Sequence, residues 1–242
     1  MNDAASLDRR ELQLLLFATP IAPLISLLPG GRYLFPLLVP LALYPGFARA
    51  VRAGDYAKAF RRSLVWALLL SVSVILFVHV APRAAADGIL NAEPYRQEMF
   101  GWIETGVAKE NDWRLFLPEH LLHLGLFVAL AWVSGGYLAL ALGAALTAYM
   151  SYFVGSFSVA TGSPFLASVA AWVPWSVVRV LAFVALGCIL ARPLLLRKAW
   201  PFGAKEGRWV AAALLGILTD LLVKANFAPA YGLFLRRWLA GE

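Results

Sequence analysis

Residues 63–81 read SLVWALLLSVSVILFVHVA and contain no Asp, Glu, Lys or Arg. A charge-free apolar run of ~18 or more residues is long enough to cross the ~30 Å hydrocarbon core of a bilayer. Lipid offers no hydrogen-bond partner to backbone amides, so a run of this kind must be an α-helix. This stretch therefore predicts a transmembrane helix, and it decides the fold class.

Four further long apolar runs follow it, and the whole chain is 61% hydrophobic and only 14% charged. These runs cover residues 119–134, 137–156, 169–191 and 209–225. Soluble domains average about 45–50% apolar and about 25% charged residues. We therefore predict an all-α, polytopic transmembrane helical bundle of about six or seven spans. Residues 1–242 are expected to form a single integral membrane domain.

The segment before the decisive run, residues 12–47, is apolar but rich in proline. Six of the 14 prolines fall here, and proline removes a backbone donor and kinks or breaks a helix. Two apolar runs, 12–28 and 33–47, are separated by the sequence PGGR at residues 29–32. The segment predicts a proline-rich helical hairpin, either two short broken spans or a re-entrant loop. Both return the chain to the side on which it entered.

Basic residues concentrate in two loops, which gives a topology. They are Arg49, Arg52, Lys58, Arg61 and Arg62 in the first, and Arg192, Arg197, Lys198, Lys205 and Arg208 in the second. By the positive-inside rule both loops are cytoplasmic, as is the N-terminus, and we expect a multi-pass protein of the cell (inner) membrane. The loop at 82–118 carries mixed charge and is predicted to be extracytoplasmic. The net charge of +7 therefore indicates a lipid bilayer as partner and no nucleic acid.

This topology leaves the C-terminus outside, together with Arg236 and Arg237. Two adjacent arginines on the outer side conflict with the positive-inside rule. Residues 230–240 are alternatively an interfacial helix, with Tyr231 and Trp238 as its anchors.

Small residues recur every four positions along one of the predicted spans. They are Gly135, Ala139, Gly143, Thr147, Ser151 and Gly155. Such a stripe lets two helix backbones approach closely where lipid supplies no hydrophobic driving force. We expect a tight helix–helix contact, within the chain, in a homo-oligomer or in a larger membrane complex. The alternative is a substrate path along the stripe.

Three charged residues fall inside predicted spans, where charge is costly and needs a reason. Asp220 and Lys224 are four residues apart and so share one helix face, and Arg179 lies in the preceding span. A buried Asp220–Lys224 pair, joined by Arg179, would hold two helices in register. The functional alternatives are a proton or ion relay, or an anionic-ligand site on Arg179.

The histidines of the chain are His79, His120 and His123, and the predicted topology puts all of them at the outer face. Histidine nitrogens with carboxylate oxygens are a plausible set for zinc or iron. The acids that could serve as a further ligand or as general base are Glu119, Glu104 and Glu110. The alternative is that these interfacial side chains simply face water.

Several catalytic signatures are missing from the sequence. There is no GxxxxGK[ST], GxGxxG, GxSxG or paired-cysteine motif, which argues against the usual nucleotide and serine-nucleophile chemistry. The paired glutamates of the membrane-embedded CAAX-protease-like families are also missing. Two functions stay open: a transporter-like or accessory, assembly-type membrane component, and a membrane-embedded metal-dependent hydrolase with a His/Glu site at the outer face.

Overall fold

The computed structural model describes residues 2–198 and 203–241, and within these ranges the chain is helical and has no strand. The helices are α1 (Asn2–Ile21), α2 (Gly31–Leu38), α3 (Tyr44–Arg52), α4 (Tyr56–Val80), α5 (Pro82–Gly88), α6 (Ala92–Thr105), α7 (Trp113–Ser134), α8 (Tyr137–Thr161), α9 (Pro164–Ala171), α10 (Pro174–Leu190), α11 (Arg192–Leu196) and α12 (Ala204–Ala240). Short 3₁₀ helices cover Ala22–Leu27, Val39–Ala42 and Lys109–Asn111. The all-α prediction is confirmed.

Six helical segments of the described chain are long and apolar enough to cross a membrane. They are Asp8–Leu27, Tyr56–Val80, Trp113–Ser134, Tyr137–Thr161, Pro174–Leu196 and Ala204–Ala240. A seventh is present if Gly31–Ala42 and Tyr44–Arg52, which meet at an angle of 47°, count as one bent span. The number of candidate spans is thus the six or seven that the sequence predicts.

The proline-rich segment folds back on itself, so that its two ends lie together. Gly30 adopts a left-handed conformation, with φ of 71°, at the reversal. The next residue, Gly31, cannot carry a side chain, because an added Cβ would lie 2.2 Å from the carbonyl oxygen of Ile25. Glu11 in the middle of α1 then forms an ion pair with Arg49 near the end of α3, at 2.6 Å.

The prolines explain why this segment is broken into short pieces. Pro23, Pro40 and Pro45 each occupy one of the first two positions of a helical turn. A proline is tolerated there because its missing N–H would have no partner within the helix anyway. Each proline therefore starts a new turn and ends the hydrogen-bond ladder before it.

The two basic loops meet at one end of the bundle, which we call the basic end. Lys205 at the start of α12 donates to the carbonyl of Gly54 at 2.7 Å. Glu206 accepts a hydrogen bond from the hydroxyl of Tyr56 at 2.6 Å and pairs with Arg192. Residues far apart in sequence thus place both positive clusters on the same side.

The opposite end, which we call the loop end, carries the connection between α4 and α7. The sequence predicts a loop at 82–118, but this connection is largely helical: it holds α5, α6 and a 3₁₀ helix. Helix α7 also begins earlier than expected, at Trp113, because the carboxylate of Asp112 caps it by accepting from the backbone N–H of Arg114 at 2.9 Å. Pro118 therefore lies inside α7 rather than at its start.

Helix α12 is one continuous helix of 37 residues, about 55 Å long at 1.5 Å per residue. It exceeds the ~30 Å of a hydrocarbon core, and its C-terminal part packs on α6. Arg236 donates from Nε to the carbonyl of Ile103 at 2.7 Å, and Gly232 lies against the ring of Trp102. Residues 230–240 are therefore the continuous end of α12 and not a separate helix.

Candidate functional site

Two of the three buried charges, Arg179 and Lys224, line one cavity together with His120 and His123, although these residues are far apart in sequence. This cavity has a volume of about 110 Å³ and is bounded by α4, α6, α7, α8, α10 and α12. Its charged and imidazole-bearing lining residues are Glu98, Lys109, Glu110, Glu119, His120, His123, Arg179 and Lys224. The sequence predicts two separate clusters, the buried charges and the histidines, and in the structure members of both line the same cavity.

Arg179 on α10 is held by Asp220 on α12 in a bidentate ion pair. Its Nε and Nη2 atoms donate to Oδ2 and Oδ1 of Asp220 at 2.9 and 3.0 Å. The Asp220 side chain is 1% exposed and the Arg179 side chain 22% exposed. Arg179 lines the cavity and Asp220 is not part of its lining, so the acid fixes the guanidinium from behind. The arginine thus presents its positive charge to the cavity.

Lys224 does not pair with Asp220, although the two share a helix face. Its Nζ atom donates instead to Oε1 of Glu110, on the 3₁₀ helix of the loop end, at 2.9 Å. It also lies 4.5 Å from the ring centroid of Phe116 on α7, which is a cation–π arrangement. Each buried charge on α12 therefore has its partner on another element, and the expected Asp220–Lys224 pair is not formed.

His120 presents an unpartnered nitrogen at this site. Its Nδ1 atom lies 2.9 Å from the carbonyl oxygen of Phe116, which can only accept, so in the neutral ring Nδ1 carries the hydrogen. Nε2 is then an acceptor, buried and without a hydrogen-bond partner among the described residues. It lies 3.7 Å from Oδ2 of Asp220, too far for a hydrogen bond. A ligand with an O–H or N–H group could supply the missing donor.

The mouth of the cavity lies at the loop end and carries a second, more exposed group of charges. Lys109 lies 3.4 Å from both Glu98 and Glu119, and the Lys109 and Glu119 side chains are close to half exposed. Glu98, followed by Glu119, raises the pKa of Lys109 above its usual value. The charges thus run from an exposed rim inward to Arg179.

The predicted metal set is not brought together. His79 does not line the cavity; its Nδ1 lies 2.9 Å from the carbonyl oxygen of Ile75 and its Nε2 lies 3.0 Å from Oγ of Ser158. Glu104 is exposed on α6 and also lies outside the cavity lining. Among residues 2–198 and 203–241, no three His, Cys, Asp or Glu side chains are grouped so that they could hold a metal ion.

Beyond the charged residues the cavity continues toward the basic end between apolar and small side chains. On α10, Arg179 is followed by Phe183 and Gly187, one turn apart each, and both line the cavity. On α7, His123 is followed in the same direction by Phe127. The lining reaches Gly136, at the turn between α7 and α8.

The small-residue stripe of α8 has two different environments. Ala139, Gly143 and Thr147 line the cavity, and a Cβ added at Gly143 would meet no atom within 4 Å. At Gly155, in contrast, an added Cβ would lie 2.9 Å from the Cβ of Val78 on α4. The stripe therefore makes the expected close helix contact at one end and borders open space in its middle.

Sequence reasoning missed Glu98 and Tyr95 as members of this site. Tyr95 lies on α6 with its ring centroid 4.6 Å from that of Tyr149 on α8, and both rings line the cavity. Burial, followed by the charge of Glu110, raises the pKa of Tyr95 well above its usual value. The dense aromatic and acidic composition of α6 was the available signal, but spacing alone does not show which of its faces turns inward.

No protein family, no curated protein and no solved structure matches this chain. Over residues 2–198 and 203–241, the fold and the cavity thus define an all-helical protein with six apolar segments long enough to cross a membrane, or seven if the bent pair is one span.

Proposed function

We propose that this chain is a multi-pass protein of the inner membrane, with a cytoplasmic N-terminus, that binds a ligand carrying an anionic group and acts as a transporter-like component. The observation that carries the proposal is the Arg179 guanidinium, fixed by Asp220 from outside the cavity and facing into it. A guanidinium has five N–H donors, so those that are not bonded to Asp220 can still bind an anionic oxygen.

The orientation follows from the charge at the two ends. Both basic clusters lie together at the basic end, joined by the bond between Lys205 and Gly54, and positive charge is retained on the cytoplasmic side. The mouth of the cavity at Lys109 and Glu119 then faces outward. A ligand would enter from the outer side.

The transporter-like character is supported by the depth of the cavity. Along α8 and the turn before it, the lining runs from Met150 in the middle of the helix to Gly136 near the basic end, a distance of about 21 Å at 1.5 Å per residue. That is most of a ~30 Å hydrocarbon core. Charges within membranes commonly mark substrate and ion pathways.

A binding experiment tests the anionic site directly. The protein is placed in nanodiscs of two-chain phosphatidylcholine, and its thermal unfolding is followed with butyl phosphate or, as the cationic counterpart, butylammonium. We expect butyl phosphate to raise the melting temperature and butylammonium to leave it unchanged. Stabilisation by the cation alone, or by neither probe, would overturn the proposal.

A neutral double variant, Arg179→Gln/Asp220→Asn, removes the charge while leaving both side chains able to hydrogen bond. It should lose the response to butyl phosphate. Arg114→Gln is the matched control, because Arg114 is an exposed arginine at the loop end that does not line the cavity. An equal response in the double variant and in the control contradicts the assignment of the anionic group to Arg179.

Transport is tested with proteoliposomes loaded with radiolabelled butyl phosphate. Efflux faster than through the double variant supports a transporter-like role, and equal efflux overturns that part of the proposal. Metal analysis of the same preparations addresses the hydrolase alternative. Stoichiometric zinc or iron that disappears in a His120→Ala/His123→Ala variant would favour the hydrolase over the transporter.

A further inference from the structure

The cavity combines two chemically different regions, arranged end to end. The head region comprises Glu110, His120, His123, Arg179 and Lys224. The apolar passage comprises Phe127, Leu140, Gly143, Val180, Phe183 and Val184. A small polar ligand would use only the head region, so the passage needs an explanation of its own.

We infer that the ligand is a single-chain amphiphile, with its anionic head at Arg179 and its hydrocarbon chain in the apolar passage. This inference rests on the proposed function, because it extends the same anionic site. The class includes alkyl and prenyl phosphates and fatty acids, which share an anionic head and one chain.

The segregation of the lining is the first reason. Helices α7 and α10 both run from the loop end to the basic end, and both change from charged to apolar in that direction. On α10 the change comes directly after Arg179, and from there to Gly187 the lining covers about 12 Å at 1.5 Å per residue. Apolar surface that is covered by a chain rather than by water gains about 25 cal/mol per Å².

The small residues of α8 are the second reason. Ala139, Gly143 and Thr147 occupy one face of α8, at intervals of one turn, and all three line the cavity. Open space remains beside Gly143, where an added Cβ would meet nothing within 4 Å. If this part of the stripe served only helix packing, atoms of a neighbouring helix would occupy that space, as the side chain of Val78 on α4 does at Gly155.

A single hydrocarbon chain is the simplest tail that would lie along the passage, and we take a single-chain ligand as its occupant.

The glycine at the centre of the passage offers a precise test. Gly143→Leu places a side chain in open space, so the helix should fold normally while the passage is blocked. The matched control is Gly125→Leu on α7, because Gly125 is exposed, does not line the cavity, and also has open space at its Cβ. Both variants make the same chemical change within a helix.

The probe is dodecyl phosphate carrying a photoreactive diazirine at the end of its chain, added to the protein in nanodiscs. After irradiation and digestion, mass spectrometry should place the label at the end of the passage far from Arg179, on Val184, Gly187 or Phe127. Unlabelled dodecyl phosphate should compete and butyl phosphate should compete much less. A blocked passage leaves the end of the chain without its site, so Gly143→Leu should lose most of the label and Gly125→Leu should keep it.

The outcomes separate the two proposals. Labelling only of lipid-facing residues such as Leu214 and Leu218, or labelling unchanged by Gly143→Leu, overturns the amphiphile even where butyl phosphate still stabilises the protein. If an uncharged dodecanol probe labels the passage equally, the anionic site is overturned, and the passage is supported as a binding region for a hydrocarbon chain. Failure of both butyl phosphate stabilisation and passage labelling refutes both.

Discussion

Replacing Asp220 by alanine tests whether the Arg179–Asp220 pair is the main electrostatic link between α10 and α12. The substitution removes two charge-assisted hydrogen bonds, at 2.9 and 3.0 Å, and leaves the guanidinium without its counter-ion. Breaking a buried ion pair from one side costs about 3–5 kcal/mol. Two membrane hydrogen bonds alone, at about 0.6–1.7 kcal/mol each, would give about 1–3 kcal/mol.

We therefore expect Asp220→Ala to lower the free energy of unfolding by about 3 kcal/mol, where the two ranges meet. The assay is reversible unfolding by SDS in mixed micelles. Thr219→Ala is the control, because Thr219 is the exposed neighbour on the same helix and should change stability by less than about 0.5 kcal/mol. Arg179→Leu/Asp220→Leu should cost less than Asp220→Ala, because no unpaired charge remains. A loss below about 0.5 kcal/mol in Asp220→Ala, or strict additivity in the double variant, would refute this reasoning.

Two further predictions concern the packing of α8 and the ionisation of the loop end. Gly155→Leu should destabilise the protein by about 1–3 kcal/mol or more through overpacking, because its Cβ would lie 2.9 Å from the Cβ of Val78. Gly143→Leu should be nearly neutral in the same unfolding assay, because its Cβ meets open space. Equal effects of the two substitutions would contradict this difference in environment. The hydrogen bond from Arg96 lowers the pKa of Glu93 from 4.5 to about 2, so this ionised carboxylate contributes stability fully above pH 4.5 and loses it as pH falls toward 2. The difference in melting temperature between Glu93→Gln and the unmodified protein should hence be constant from pH 7 to 5 and shrink below; a difference that does not change down to pH 3 would be inconsistent with this pairing.

Hydropathy was sufficient to predict the helical architecture, because each span is determined by its own sequence. The run at 63–81 becomes part of α4, and the runs at 119–134, 137–156 and 209–225 also lie in helices. The run at 169–191 is instead divided between α9 and α10, because Pro174 starts a new helix after Trp172 and Val173. Boundaries were less predictable where a polar residue outside the apolar run caps the helix. Asp112 starts α7 before the apolar stretch begins, and Pro118 gave a misleading signal for the helix start.

The members of the site were largely predictable and their pairing was not. A charge inside an apolar run is visible in sequence, which is how Arg179, Asp220 and Lys224 were found. Their partners depend on which helices are neighbours, and helix neighbours are a property of the tertiary fold. The i, i+4 spacing favours an Asp220–Lys224 pair, but Lys224 hydrogen bonds to Glu110 from the loop end instead.

The histidines also show that side-chain contacts cannot be predicted from membrane depth. Predicted topology placed His79 and His120 at one face of the membrane, but a shared face does not bring side chains together. His79 turns toward α8, where it contacts Ser158, while His120 turns toward α12. Depth in a membrane can be estimated from sequence, whereas rotation about the helix axis requires the packing partners.

The energetics of the cavity favour a functional reading of its charges over a purely structural one. A buried ion pair is often replaceable by apolar residues of similar volume without loss of stability, so helix register alone does not require Arg179 and Asp220. A purely structural pair would also be expected to be enclosed on all sides. Here Arg179 lines the cavity, and His120 beside it keeps a buried nitrogen without a hydrogen-bond partner among the described residues. An unsatisfied buried polar atom costs about 1–3 kcal/mol. A phosphate head that retains one proton would donate to Nε2 and remove this cost while it accepts from Arg179.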